Sequence, residues 1–274
     1  MDKKSTIWYP RILMKYIDIH SHLNLEPLSD DQAGVISRMR EHGVGTITVG
    51  TGMQTSQQAV SIAETYPDMC WAIVGIHPND SDESFDTGEF EKLAQHPKVV
   101  AIGETGLDYF RDQSPETKAK QVELFQQHIT LAIQVSKPLM LHVRASKGSD
   151  DAYYDALAIL KNKSYTGKAN FHFFSGSKQC MLDIVAAGFT ISVDGPITFS
   201  NDYDDMIRSC PIESIMAETD APFAAPTPYR GKTCEPWMVV EVVKKIAELK
   251  GMDEETVRVQ MLTNAQEFFS LQTQ

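Results

Sequence analysis

Eight short β-rich runs, at 16–20, 46–50, 71–77, 99–104, 139–143, 169–173, 190–193 and 215–219, alternate with amphipathic stretches of helical period along the chain. Such alternation builds parallel sheets, because each strand needs a crossover before its parallel neighbour can pair. Several runs, among them Trp71-Ala72-Ile73-Val74 and Val99-Val100-Ala101-Ile102, are almost continuously apolar, the pattern of strands covered on both faces. Ser114-Pro115-Glu116 opens the clearest helix with a cap residue, a proline and an early acid, and Leu124, Phe125, His128, Ile129, Ala132 and Ile133 follow at helical spacing. Asp253-Glu254-Glu255 opens the last helix in the same way. Eight β-then-α units in 274 residues fit a single-domain (β/α)8 TIM barrel, a fold of about 250 residues. An open doubly wound sheet is the alternative. It ordinarily brings a glycine-rich phosphate turn after its first strand, whereas Tyr16 to His22 contains no glycine and Gly50-Thr51-Gly52 lacks the third glycine of the dinucleotide fingerprint. Ser175-Gly176-Ser177-Lys178 matches a bare serine-lysine pattern but reads as a loop and helix cap.

A barrel of this kind carries its chemistry at the C-terminal ends of the strands. Run one ends in Asp18-Ile19-His20-Ser21-His22, run three in Gly75-Ile76-His77-Pro78 and run four in Gly103-Glu104-Thr105-Gly106-Leu107-Asp108. Run five ends in His142-Val143-Arg144, run six in His172 and run eight in Glu218-Thr219-Asp220. Five of the eight histidines thus fall on one rim, while His42, His96 and His128 fall in helices or connectors. Residues at i and i+2 of a strand share a face, so His20 and His22 can grip one ion if the chain stays extended; alone, the pair also reads as two satisfied core histidines. With Glu104, His142, His172 and Asp220 at the same mouth, the set holds four imidazoles and two carboxylates, more than the three protein ligands usual for one catalytic ion. Two divalent ions about 3.5–4 Å apart suit it better and need a bridging ligand. Glu104, with two oxygens and a place in the middle of the ligand order, is the candidate bridge.

With 37 acidic against 25 basic side chains the formal charge is −12, which argues against a broad basic groove that tracks nucleic acid by charge alone. Carboxylates gathered around cations are neutralised locally, so a metal site still attracts phosphate. Cys70, Cys180, Cys210 and Cys234 lie far apart with no Cys-x-x-Cys pair, which points to reduced thiols in the cytosol. No apolar stretch approaches the roughly 20 residues of a membrane span, and Pro10 and Arg11 interrupt residues 1–13 before a signal-peptide core forms. A soluble, cytoplasmic protein with no membrane partner is expected.

Together and in order, these motifs resemble the TatD family of metal-dependent deoxyribonucleases, within the amidohydrolase-like barrels. The resemblance covers 14–274 and leaves 1–13 as a leader outside it. Its carriers in the first half of the chain are Asp18-Ile19-His20-Ser21-His22, Gly75-Ile76-His77-Pro78, Ile102 to Tyr109, and the helix with Gln121, Phe125, Gln127 and Leu131-Ala132. The second half adds Leu141-His142-Val143-Arg144-Ala145, His172-Phe173-Phe174-Ser175-Gly176, Glu218-Thr219-Asp220-Ala221-Pro222 and Asn264-Ala265. The resemblance implies one ion held by His20, His22, Glu104 and Asp220 and a second held by Glu104, His142 and His172. It also implies that Glu104 stands in for the carbamylated lysine of phosphotriesterase-like relatives. Family members usually carry asparagine before Glu-Pro, where this chain has Cys234 in Thr233-Cys234-Glu235-Pro236. Cys234 reads as a tolerated neighbour of the site rather than a nucleophile.

The implied activity is hydrolysis of DNA phosphodiester bonds, single-stranded or from an end, with two divalent ions: magnesium, manganese, zinc or cobalt. An ester or amide hydrolase of the same barrel class, deacylase-like, is the alternative. Asp220 is expected to ligate metal and accept the proton of the attacking water, with Asp18 and Glu218 orienting His20 and the strand-eight loop from behind. Arg144 is expected to hold a substrate phosphate or else to pair with Asp108, and His77 to hydrogen-bond a phosphate or to pack a loop. Lys147, Arg230 and Lys232 are further cations expected near the mouth. Tyr109, Phe110 and Phe174 are candidates for stacking bases, Phe174 equally for the core. The oligomeric state is open, and a monomer is compatible with the sequence.

Overall fold

The computed structural model describes residues 14–271, so the expected leader at 1–13 lies outside the described residues. Eight parallel strands pair in chain order: β1 (Tyr16–Ser21), β2 (Val44–Val49), β3 (Cys70–Val74), β4 (Val99–Asp108), β5 (Leu139–Arg144), β6 (Ala169–His172), β7 (Thr190–Val193) and β8 (Ile215–Ala217). A parallel bridge between Ser21 and Ala221 brings the first and last strands together, so the sheet nearly closes into the expected barrel. The outer layer consists of α1 (Gln32–His42), α2 (Met53–Thr65), α3 (Thr87–Ala94), α4 (Pro115–Val135), α5 (Asp151–Asn162), α6 (Lys178–Ala186), α7 (Asp204–Ser209), α8 (Val239–Lys250) and α9 (Glu254–Phe269).

Local chemistry sets the helix starts. Ser114 Oγ accepts from Thr117 N at 3.3 Å ahead of α4, and Asp253 Oδ2 accepts from Thr256 N at 3.0 Å ahead of α9, each satisfying an amide left unpaired at a helix N-terminus. Ser177 caps α6 through Cys180 N at 3.1 Å, which accounts for the Ser-Gly-Ser-Lys stretch.

Alternate strand residues serve two cores. Ala72, Val74, Leu139, Leu141, Ile191 and Val193 join helix residues such as Met39, Ala59, Phe125 and Ile246 in the layer between sheet and helices. Burying a side chain the size of Phe125 contributes about 1.5–3 kcal/mol. Ile17, Ile47, Trp71, Ile73, Met140 and Met216 form a second cluster with Phe268, Phe269 and Leu271 at the end of the chain. Ile17, Trp71, Met140 and Met216 are each the second residue of their strands, and the end of the chain packs with them, so the second cluster fills the end of the barrel opposite the mouth that carries the polar groups.

Three strand ends differ from expectation by two residues or more: β8 stops at Ala217, leaving Glu218 and Thr219 beyond it, and β4 and β3 depart further. β4 does not stop at Glu104 but runs on to Asp108, paired with β5 as far as Asp108 opposite Arg144. Its glycines read as a strand end in sequence, yet Gly103 and Gly106 sit at φ +151° and +140°, where a Cβ would stand 2.4 Å from Met140 O and 2.2 Å from His142 O. Only glycine permits that approach, and the β4–β5 register slips between Ile102 and Thr105 at this point. β3 is shorter than expected and ends at Val74, so His77 lies beyond the strand, where its Nδ1 accepts from Asn79 N at 3.1 Å at the start of the Pro78–Asp80 turn.

Candidate metal centre

Glu104 is the hub of the mouth. Its Oε1 lies 2.8 Å from His142 Nδ1, 2.9 Å from His172 Nε2 and 3.5 Å from His77 Nε2. Its Oε2 lies 3.4 Å from His20 Nε2 and 3.7 Å from His22 Nε2. Asp220 completes the second side, with Oδ1 3.4 Å from His22 Nε2 and 3.7 Å from His20 Nε2. Three sets of donor atoms cluster closely enough to hold an ion: His20, Glu104 and His172; His20, His22 and Asp220; and His77, Glu104 and His142. The structure therefore brings His77 to Glu104 and His142, and groups His172 with His20, whose ring it stacks at 3.9 Å.

The route by which β1 delivers two histidines is not a plain extended strand. The β1–β2 register slips between Asp18 and Ser21, and the Nε2 atoms of His20 and His22 end 3.3 Å apart. Asp220 has φ +53°, a left-handed conformation uncommon outside glycine, and its amide donates to His20 O at 2.9 Å.

Electrostatics divide the donors. Burial opposes charge on His22, His142 and His172, but the carboxylates beside them (Asp220 at His22, Asp108 and Glu104 at His142, Glu104 and Glu218 at His172) raise all three, His172 well above the usual imidazole range. Burial opposes charge on Glu104, but His172, His77 and His20 around it and its hydrogen bond with His142 hold its carboxyl well below the usual range. Burial also opposes charge on Asp220, and His22 and His20 lower it. Burial and the nearby His172 push His20 down, and burial with His142 beside it pushes His77 to about 3, so both rings are neutral at pH 7. Imidazole nitrogens and ionised carboxylates in one cluster fit a divalent cation such as zinc, manganese or cobalt, whose binding would displace the protons that the carboxylates otherwise hold on His22, His142 and His172.

Behind the donors stand acceptors that aim them. Glu218 Oε1 is 3.4 Å from His172 Nδ1 and accepts from Phe173 N at 2.6 Å, while Oε2 accepts from Ser192 Oγ at 2.8 Å. Glu218 thus serves His172 and β7. Asp18 faces away from the donor cluster and accepts from Thr219 and Thr46, touching His20 only through its amide at 3.4 Å. Asp108, offered by sequence reasoning only as a partner for Arg144, lies 3.3 Å from His142 Nε2 and accepts from Asn79 Nδ2 at 3.0 Å. Sequence reasoning missed Asp194, one residue beyond β7, which is buried with Oδ2 unpartnered among the described residues. Burial, with Glu218 and Asp220 nearby, pushes its carboxyl well above the usual range. Its sequence signal is its place directly after run seven, where a carboxylate at the C-terminal end of a barrel strand falls on the same rim.

Above the donors a cavity of about 840 Å³ opens, lined by His22, His77, Arg111, Arg144, Phe199 and Phe223 among others. Arg144 is exposed and stacks on Phe110 at 4.0 Å rather than pairing with Asp108. Arg111, not foreseen, lines the cavity, whereas Lys147, Arg230 and Lys232 do not, Arg230 standing instead over Phe199, which does. Tyr109 and Phe174 are buried, and Tyr109 donates to Asp155 at 3.0 Å, so neither stands at the mouth. Cys234 is buried and its thiol is pushed up by burial and by Asp18, Asp194 and Asp220, which leaves it protonated and unsuited to attack.

The sequence profile described as TatD related DNase matches residues 17–270. An uncharacterized metal-dependent hydrolase, YabD of Bacillus subtilis, is 36% identical over 260 residues, covering 93% of this chain and 98% of its own. A protein of Erwinia tasmaniensis named as the 3′-5′ ssDNA/RNA exonuclease TatD is 33% identical over 266 residues, covering 93% of this chain and 99% of its own. In three dimensions the chain is similar to the crystal structure of YjjV, a TatD homolog from Escherichia coli K12, with a TM-score of 0.86 at 27% identity, covering 95% and 100% of the two chains.

Proposed function

The chain belongs to the TatD family of metal-dependent hydrolases, and from that premise we propose that it trims single-stranded DNA from an end at a dinuclear centre bridged by Glu104. The observation that carries this reading is the division of labour at one carboxylate: Oε1 faces His142 and His172 while Oε2 faces His20 and His22. The donor sets are His77, Glu104 and His142 on one side and His20, His22 and Asp220 on the other, while His172 groups with His20 and Glu104. The chain contains no helix long and apolar enough to cross a membrane among the described residues.

His20, His22, Glu104, Asp220, His142 and His172 would hold divalent cations, zinc, manganese, cobalt or magnesium, which when bound would activate water and offset charge on the attacked phosphate. The side chains do the rest. Asp220, ionised beside His20 and His22, accepts the proton of the attacking water. Glu218 holds His172 and Asp108 holds His142 in register. Arg144, exposed on the cavity wall, takes a phosphate oxygen of the substrate, and neutral His77 offers a polar edge to the same group.

The test is digestion of end-labelled single-stranded DNA by the purified protein with magnesium, manganese or EDTA, beside an Asp220→Asn variant. Shortening that needs metal, vanishes in the variant and forms a ladder from one end is the expected result. No cleavage by protein shown to be metal-loaded would transfer the reading to ester or amide hydrolysis.

A further inference from the structure

Among the seven described arginines, Arg38, Arg40, Arg111, Arg208 and Arg258 each have a carboxylate within 4.0 Å. The other two, Arg144 and Arg230, have none among the described residues; Arg144 lines the metal cavity, and Arg230 contacts Phe199, which lines it. Each sets its guanidinium carbon over the ring of an exposed phenylalanine: Arg144 at 4.0 Å from the centre of Phe110 and Arg230 at 3.5 Å from that of Phe199. Phe110 and Phe199 are 49% and 44% exposed, and with Phe223 they are the exposed phenylalanines among the described residues. Arg144, Phe199 and Phe223 all line the cavity. Phe110 leaves the end of β4 beside Arg144 of β5, while Phe199 follows β7 and Arg230 follows β8. The two stacks therefore rise from different arcs of the barrel.

A single exposed ring or solvated arginine is ordinary, but two arginines without carboxylate partners set over exposed rings around one cavity, on a chain of net charge −12, form a patch of the kind that marks a binding site. A guanidinium held over a ring is oriented in advance, with its N–H edge free for bidentate contact to phosphate. A phenylalanine face accepts any base that has left its stack, and a base in a duplex has not. We propose that the Phe110–Arg144 and Phe199–Arg230 pairs form a two-sided clamp for a single polynucleotide strand, the rings receiving bases and the guanidiniums the flanking phosphates. This proposal rests on the nuclease reading and selects single strands over duplex without reading sequence.

The experiment is anisotropy titration of the full-length protein with a fluorescein-labelled phosphorothioate oligothymidylate, and with a duplex of equal length, across a series of salt concentrations. Phe110→Ala, Phe199→Ala and Arg230→Ala should each weaken single-strand binding at least about fivefold. Arg230→Ala should also lower the slope of log affinity against log salt by about 0.7, the value for one lost phosphate contact on a single strand. Arg230→Lys should keep that slope and still lose affinity, because an ammonium neither stacks nor forks. Variants that bind the strand as the wild type does, or that weaken duplex and single strand alike, overturn the clamp and leave the nuclease reading standing. A wild-type protein that neither binds nor cuts the strand overturns both.

Discussion

Asp18 and Thr219, 201 positions apart, are joined twice: Thr219 N donates to Asp18 Oδ1 at 2.9 Å and Thr219 Oγ1 donates to Oδ2 at 2.8 Å. This seam ties β1 to the segment after β8, next to the bond by which Asp220 N reaches His20 O. Replacing Asp18 by alanine strands the two Thr219 donors, each costing about 1–3 kcal/mol, and also takes one acceptor from Thr46 Oγ1 and the long contact from the His20 amide. Asp18→Ala should therefore lose about 3 kcal/mol in urea unfolding, and Asp18→Asn, which keeps one acceptor, should lose less. A loss below about 1 kcal/mol for the alanine variant would show that the seam is held elsewhere.

Glu104 offers one oxygen to each half of the donor cluster. Substitutions behind metal ligands typically cost about 10–100-fold, so removing a shared ligand should cost more than about 100-fold in hydrolysis. Glu104→Ala should also retain less than one ion per chain by mass spectrometry of the dialysed protein. Full metal content in that variant contradicts the bridging role.

Glu218 acts through His172, 3.4 Å away, and is itself anchored by Phe173 N and Ser192 Oγ. Glu218→Gln preserves shape but removes the charge that supports the imidazole. Competition with a fluorescent chelator should show metal affinity about 10–100-fold weaker with the circular dichroism spectrum unchanged. Unaltered affinity would reduce Glu218 to a structural strut.

His128 tests the fold apart from the site. Its Nε2 accepts from Ile76 N at 2.9 Å and its Nδ1 is 2.8 Å from Leu124 O, and burial pushes it down from 6.5 to about 4. Between those values the unfolded chain binds a proton that the folded one refuses, so this contribution is complete above pH 6.5 and is lost as pH falls towards 4. The difference between wild type and His128→Gln should change by about 3 kcal/mol across that window in denaturant melts. Parallel stability curves for the two proteins would refute the assignment.

Cys234, buried with its thiol pushed up, should resist iodoacetamide in the folded protein and react only after denaturation. Cys234→Ala should hydrolyse substrate within about twofold of wild type, an outcome that a nucleophilic role forbids.

The candidate site was legible where its chemistry is local. His20, His22, Glu104, His142, His172 and Asp220 each sit at or just past the end of a run that periodicity marks as a strand. Asp108 and Asp194 were less so, because a single carboxylate past a strand is common and only its neighbours give it a role. Arg144 and Arg230 were visible as cations near strand ends, but their ring partners Phe110 and Phe199 lie on other segments.

By itself the amino-acid sequence determined the alternation that makes a barrel and the order and type of the donors, since hydrophobic period and side-chain chemistry are local properties of the chain. Only the tertiary structure decided which oxygen of Glu104 faces which imidazoles, that His77 joins Glu104 and His142, and that Asp18 seams β1 to the end of β8. Those relations depend on register across strands far apart in sequence, and on slips such as the one between Ile102 and Thr105. A shift of one residue in a strand turns its side chains to the opposite face, and no local pattern records which register the closed barrel will adopt.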